Sequence, residues 1–231
     1  MNTEPISDEA LYRLIAWLSP GFPVGAYAYS HGLEFAVEDG RVTDAKDLCA
    51  WIEGILSLGA GAVDGPLFAG AWRADDDQAL QEVAELADCY RATKEMALES
   101  GAQGTAFLTT VAETWTSPDF AHHAKILGSL GRPIAYAVAV AVAAADAGVP
   151  LRAALIAYFY AFAANLTSAG VRLIPLGQVA GQRIIEKLRG PVSAAAEAAM
   201  EIPLDDIGSA GALIDWTSMQ HETQYTRLFR S

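Results

Sequence analysis

Ile134-Ala135-Tyr136-Ala137-Val138-Ala139-Val140-Ala141-Val142-Ala143-Ala144-Ala145-Asp146-Ala147 can be read two ways, and the choice decides the fold. Residues 138–142 alternate valine and alanine, as a half-buried strand would. The alanines around them favour helix, and no strand pattern nearby offers a partner. The helical reading is taken. Outward from this run, prolines and glycines separate further helical patterns. Residues 8–18 carry Leu11, Leu14, Ile15 and Leu18 at helical spacing behind an acidic first turn. Residues 19–25 hold two prolines and two glycines and cannot continue a helix. Helical patterns follow over 26–39 with Gly40 as C-cap, from Thr43-Asp44-Ala45-Lys46 onward, and over 64–74, 76–100, 101–116 and 118–131. Pro133 suits the first position of the helix containing 134–147. Helices over 150–168 and 178–188 precede a looser acidic stretch at 197–206.

The pattern predicts an all-α fold: a single-domain bundle of roughly eight to ten helices. The breaks at Gly190-Pro191 and Ile202-Pro203 make residues 203–231 the expected mobile, partner-dependent segment of one domain spanning 1–231.

Of the 231 residues 52% are apolar and 19% charged, enough to build a sizeable core. A net charge of −13 repels phosphate backbones and anionic bilayers, so neither nucleic acid nor membrane is an expected partner. The most apolar stretches, 134–145 and 153–164, fall short of the roughly 20 residues of a membrane span and read as buried helices. Met1-Asn2-Thr3-Glu4-Pro5 is acidic and lacks an apolar core, which argues against a signal peptide. Cys49 and Cys89 form no CxxC pair and read as reduced, buried cytoplasmic thiols.

Catalytic signatures are sparse. His31, His122, His123 and His221 show no HExxH or ExxH spacing, and no Gly-rich phosphate loop occurs. No metal site and no cofactor are expected. Cys49 among Leu48, Trp51 and Ile52 reads as a buried thiol, and His31 as a hydrogen-bonded residue at a helix start. A helical-bundle enzyme using Cys49 or His31 is the alternative reading.

Three segments look built for contact instead. Residues 22–34 pack aromatic rings, hydroxyls and small residues into a corner, where the polar tips of tyrosines suit a partly buried surface. Residues 172–189 form a basic island in an acidic chain, with Gln178 and Gln182 one helical turn apart beside Arg183. The end of the chain, 221–231, sets Tyr225, Leu228 and Phe229 at i, i+3 and i+4, one face of a helix, among Arg227 and Arg230. Intramolecular packing explains each of these about as well as partner binding does.

Taken together, Ser19-Pro-Gly-Phe-Pro-Val-Gly-Ala-Tyr-Ala-Tyr-Ser-His-Gly-Leu-Glu34, Pro175-Leu-Gly-Gln-Val-Ala-Gly-Gln182 and His221-Glu-Thr-Gln-Tyr-Thr-Arg-Leu-Phe-Arg-Ser231 resemble the signature segments of the urease accessory protein UreF family, in its order and spacing. Ala92-Thr93-Lys94-Glu95 resembles the family's Ala-Ser-Arg-Glu segment with conservative departures. The resemblance implies an all-helical, dimeric, non-enzymatic protein. It would bind a UreD/UreH-type accessory protein, recruit the GTPase UreG and assist nickel delivery to apo-urease. It implies that the tail orders when the UreD-type partner is bound, that Tyr27 and Arg227 meet when the tail folds back, and that Arg172 lies near the GTPase-facing surface. The partner-binding residues expected are Tyr27, Arg172, Gln178, Gln182, Arg183, Tyr225, Arg227, Leu228 and Phe229.

Overall fold

A computed structural model describes residues 5–115 and 117–231. Part of the signal-peptide reading (residues 1–4) and the last residue of the expected helix 101–116 lie outside the described residues. Among those described, the fold is all-α. The twelve α-helices are α1 (Asp8–Trp17), α2 (Leu33–Glu38), α3 (Ala45–Leu58), α4 (Ala60–Arg73), α5 (Asp77–Cys89), α6 (Lys94–Thr114), α7 (Pro118–Ser129), α8 (Tyr136–Asp146), α9 (Leu151–Leu173), α10 (Gln178–Lys187), α11 (Arg189–Glu201) and α12 (Ala212–His221). Two 3-10 turns, Ala26–Ala28 and Leu204–Asp206, join them.

The ambiguous run is the central helix. Every residue of α8 from Ala137 to Ala144 is buried, and α8 packs against α4, α5, α6, α7 and α9. A helix enclosed on all sides has no polar face, so its sequence carries no helical periodicity. It satisfies its backbone groups internally, which a lone strand there could not do. Glycine sets the approach of α6 to the segment leading into α8: a Cβ on Gly104 of α6 would stand 1.9 Å from the carbonyl oxygen of Ile134.

The count exceeds the expected eight to ten because the chain beyond α10 adds α11 and α12, where a looser stretch and a mobile segment were expected. Two expected helices also have other bounds, and the boundary expected between 100 and 101 falls inside α6. Residues 76–100 are two helices, since Thr93 caps α6 by accepting from the Met96 N–H and the chain between them carries Arg91 to Asp64. Residues 26–39 yield only the short α2, because Gly25, His31 and Gly32 all have positive φ. Pro133 lies outside α8, whose N-cap is Ala135. Gly190-Pro191 starts α11 rather than ending a helix, since the first helical turn tolerates a missing N–H.

Helix α9 runs 23 residues, longer than its apolar core suggested, and is long and apolar enough to cross a membrane by length and composition. Half of its most apolar window is buried inside the molecule, against α2, α3, α4, α8, α10 and α11. Cys89 is exposed, against expectation, at the end of α5, while Cys49 is half-buried.

Gly104→Ala is expected to destabilise the fold by about 1–3 kcal/mol, since neither backbone can yield freely. Gly128→Ala on α7, with nothing near its Cβ position, is expected to be neutral or slightly stabilising. Thermal unfolding of the two variants checks the contrast.

Candidate functional site

Helix α2 opens at a left-handed pair, His31 (φ 57°) and Gly32 (φ 76°). A Cβ on Gly32 would lie 2.8 Å from the backbone nitrogen of Ser218, so α2 and α12 meet backbone to backbone. That approach brings Glu34, in the first turn of α2, to His221 at the end of α12. Both face Glu95 in the first turn of α6. His221 is fully buried; its Nδ1 lies 2.7 Å from Glu95 Oε2 and its Nε2 3.1 Å from Glu34 Oε2. Carboxylates only accept, so both contacts are hydrogen bonds when the ring carries two protons or one acid retains its own.

The same carboxylates hold the end of the chain. Glu34 accepts the backbone N–H of Leu228 at 2.6 Å and of Phe229 at 2.9 Å. Arg227 donates to Glu95 Oε1 at 3.0 Å. The Ser231 hydroxyl donates to Glu99 Oε2 at 2.9 Å, the oxygen that also meets His31 Nδ1 at 3.2 Å. The main chain adds two bonds, Arg230 N–H to the Ala28 carbonyl and Ser30 N–H to the Ser231 carbonyl, each 2.8 Å. The Ser30 hydroxyl donates to that last carbonyl as well.

Tyr27, Arg172 and Phe229 come together at the corner. Arg172 donates to the Tyr27 carbonyl at 2.9 Å and covers the Phe229 ring, 4.3 Å from its centroid. Partial burial lowers the Arg172 pKa. Arg230 lies over Tyr29. Here the structure corrects two expectations. The tail is not a helix, because α12 ends at His221; Phe229 is 4% exposed while Leu228 is 64% exposed and Tyr225 fully so. Arg227 does not meet Tyr27: its partner is Glu95, and Arg172 takes the Tyr27 carbonyl. Gln178, Gln182 and Arg183 are exposed on α10 and make no hydrogen bond to the tail or the corner.

Magnitudes rank these contacts. Hydrogen bonds to a charged group contribute about 1.5–3 kcal/mol each, and burying Phe229 a similar amount. A part-exposed ion pair such as Arg227–Glu95 contributes about 0–1 kcal/mol. Glu34 and Phe229 therefore hold the tail, and Arg227 is largely free to be read from outside.

Glu34, Glu95, Glu99, His221 and Ser231 were not among the site residues expected from the sequence, although all but Glu99 lie in the segments that resemble the family's signatures. The available signal was on α6, where Glu95, Glu99 and Gln103 share a stripe with the buried Phe107 and Val111. Carboxylates on an otherwise apolar face announce buried partners.

A family model described as UreF matches residues 42–189. Proteins named "Urease accessory protein UreF" resemble the chain along its length. The one from Granulibacter bethesdensis is 48% identical over 232 residues, covering 99% of this chain and 97% of the relative. That from Rhodopseudomonas palustris (strain BisB5) is 48% identical over 236 residues, covering 100% and 96%. That from Bradyrhizobium diazoefficiens is 43% identical over 225 residues, covering 96% and 92%.

The chain belongs to the UreF family.

The stretch matched by the UreF family model contains Glu95, Glu99, Arg172 and α10, whereas Glu34, His221 and the tail lie outside it and are spanned by the full-length UreF relatives. The alternative based on Cys49 or His31 gains no support from geometry. Burial pushes the Cys49 thiol pKa up, with Lys187 opposing, and among the described residues no base is hydrogen-bonded to it. His31 pairs with Glu99, but the carboxylate stands between ring and hydroxyl, the wrong order for a ring to activate Ser231. Among the described residues no three His, Cys, Asp or Glu side chains could hold a metal ion together.

Glu34→Gln replaces an acceptor of both tail N–H groups by an amide that presents a competing donor. Tryptic cleavage after Arg227 is expected to accelerate at least about tenfold, the equivalent of about 1.4 kcal/mol, with the helical circular dichroism unchanged. An unchanged cleavage rate contradicts the assigned role of Glu34.

Proposed function

We propose that this protein is a non-catalytic bridging factor in the maturation of nickel-dependent urease. In this reading its tail and corner dock on a UreD/UreH-type accessory protein. The docked complex recruits the GTPase UreG, regulates it, and assists nickel delivery to apo-urease in the cytoplasm. Membership of a family named for an accessory role supports the urease part.

The observation that carries the docking part is the division of labour in the tail. Phe229 and the main chain of 228–231 hold it to the fold, while Tyr225 and Leu228 stand in solvent beside the half-exposed Arg227. A pinned segment presenting a tyrosine, a leucine and an arginine supplies hot-spot side chains at low ordering cost. Order of residues 203–231 would be completed by the partner. The exposed Gln178, Gln182 and Arg183 of α10, continuing from Arg172 at the end of α9, form a separate polar edge suited to the GTPase. Self-association is supported elsewhere: Leu11, Tyr12 and Ile15 on α1 and Tyr160 on α9 are exposed beside a broad, mainly apolar cleft between α1, α9 and α11. Exposed apolar patches of this kind mark contact surfaces, and a two-fold pair is the commonest way to cover one.

Tyr225→Ala with Leu228→Ala is expected to leave stability within about 0.5 kcal/mol and to weaken binding of the UreD-type protein by about 2 kcal/mol or more. Gln178→Ala with Arg183→Ala is expected to spare that step and lower capture of the GTPase by the preformed complex. Calorimetry for the first step and pull-down for the second check both. Full partner affinity in the first variant contradicts the tail as docking element.

A further inference from the structure

A cavity of about 260 Å³ lies between α4, the α5–α6 junction, α8, α9 and α12. It is smaller than the roughly 300–1,000 Å³ of pockets that take drug-sized ligands. None of the docking surfaces above uses it. Its walls are aromatic, with Tyr136, Tyr158 and Phe162, and its polar groups are held rigidly with bonding capacity left over.

Arg91 donates through Nε to the Ala87 carbonyl at 2.9 Å and through Nη1 to Asp64 at 2.7 Å. Its Nη2 is buried without a partner among the described residues, in a side chain only 9% exposed. Tyr158, donating to the other Asp64 oxygen at 3.1 Å, fixes the carboxylate that fixes the arginine. His31, pinned by Glu99 and by an edge-on contact with Phe162, likewise has a buried Nε2 with no partner. With Nδ1–H donated to Glu99, the neutral ring keeps a lone pair on Nε2. The third open group is Asp215 on α12, whose carboxylate makes no hydrogen bond or ion pair among the described residues. Burial raises the Asp215 pKa, and Asp215 and His31 line the same cavity.

One open donor therefore shares a cavity with an open acceptor and an open carboxylate. The charged groups of the wall, Asp64, Glu99 and Asp215 against Arg91, disfavour a simple anion. We propose that the cavity binds a small zwitterion of the free α-amino-acid class, its carboxylate on Arg91, its ammonium on Asp215 and His31, and its side chain against the aromatic wall. Each open group then gains the partner it lacks, and a buried unsatisfied group is otherwise costly.

Calorimetry on the full chain with three probes tests this: leucine, isopentylamine (no carboxylate) and 4-methylpentanoate (no ammonium). Leucine is expected to bind saturably with a dissociation constant on the order of 1 mM or tighter, and each half-molecule at least about tenfold more weakly. Asp215→Asn removes a part-exposed, unbonded carboxylate and is expected to weaken leucine at least about tenfold while leaving the melting temperature in place. Ala60→Leu, which takes up cavity space, is expected to abolish binding. Absence of saturable leucine binding at about 10 mM, undiminished affinity in Asp215→Asn or Ala60→Leu, or 4-methylpentanoate binding as well as leucine would each overturn the proposal.

Discussion

Three carboxylates, Glu34, Glu95 and Glu99, are buried where α2, α6 and α12 converge, and much else follows from the need to surround them with donors. An unpaired buried carboxylate costs several kcal/mol. The donors come from distant parts of the chain: His31 before α2, His221 ending α12, and Arg227, Leu228, Phe229 and Ser231 beyond it. The tail is thus the partner set of a buried acidic cluster, and its path is dictated by acceptor positions on α2 and α6. Removing one acid leaves donors stranded; removing the tail exposes acids. This reciprocity explains how a segment without regular structure can have a defined place.

The helical core makes the cluster possible. Helix α8, enclosed by five neighbours, packs along α6, and the segment leading into it meets α6 at the Gly104–Ile134 contact; together they position the acidic start of α6. The left-handed turn at His31 and Gly32 does the same for α2, because only glycine permits the approach to Ser218. The corner at Tyr27 is reached from the end of α9 by Arg172, which touches the backbone of the corner and the one buried ring of the tail. Core, corner and tail are coupled through few residues; Tyr27, His31, Gly32 and Phe229 lie in the segments that resemble the family's signatures, while Gly104, Ile134 and Arg172 lie outside them.

The fold was legible because most helices announce themselves locally. Ser7, Asp44, Asp76, Thr93 and Ser117 each cap a helix with a side-chain oxygen, and prolines and glycines mark most of the gaps. Residues 76–100 misled because their apolar spacing runs through a break that Arg91 imposes by reaching back to Asp64, a contact distant in sequence. The site was legible only in outline. Tyr27, Arg172 and Phe229 stood out as aromatic and basic residues and do meet. The helical spacing of Tyr225, Leu228 and Phe229 did not predict their environment, because the Glu34 carboxylate of α2 captures the Leu228 and Phe229 N–H groups that a helix would have used. Glu34 and Glu95 resemble ordinary first-turn acids; their burial goes with tertiary contacts to His221, which lies 187 residues from Glu34, and that of Glu99 with contacts to His31 and Ser231.

Amide hydrogen exchange at single-residue resolution in the isolated chain tests the central claim, that the tail is held by Glu34 and the main chain of the corner. The account predicts slowed exchange at Leu228, Phe229 and Arg230, whose N–H groups are bonded to Glu34 and Ala28, alongside coil-like exchange at Tyr225 and Thr226. Uniform coil-like exchange from residue 222 to 231 would contradict it.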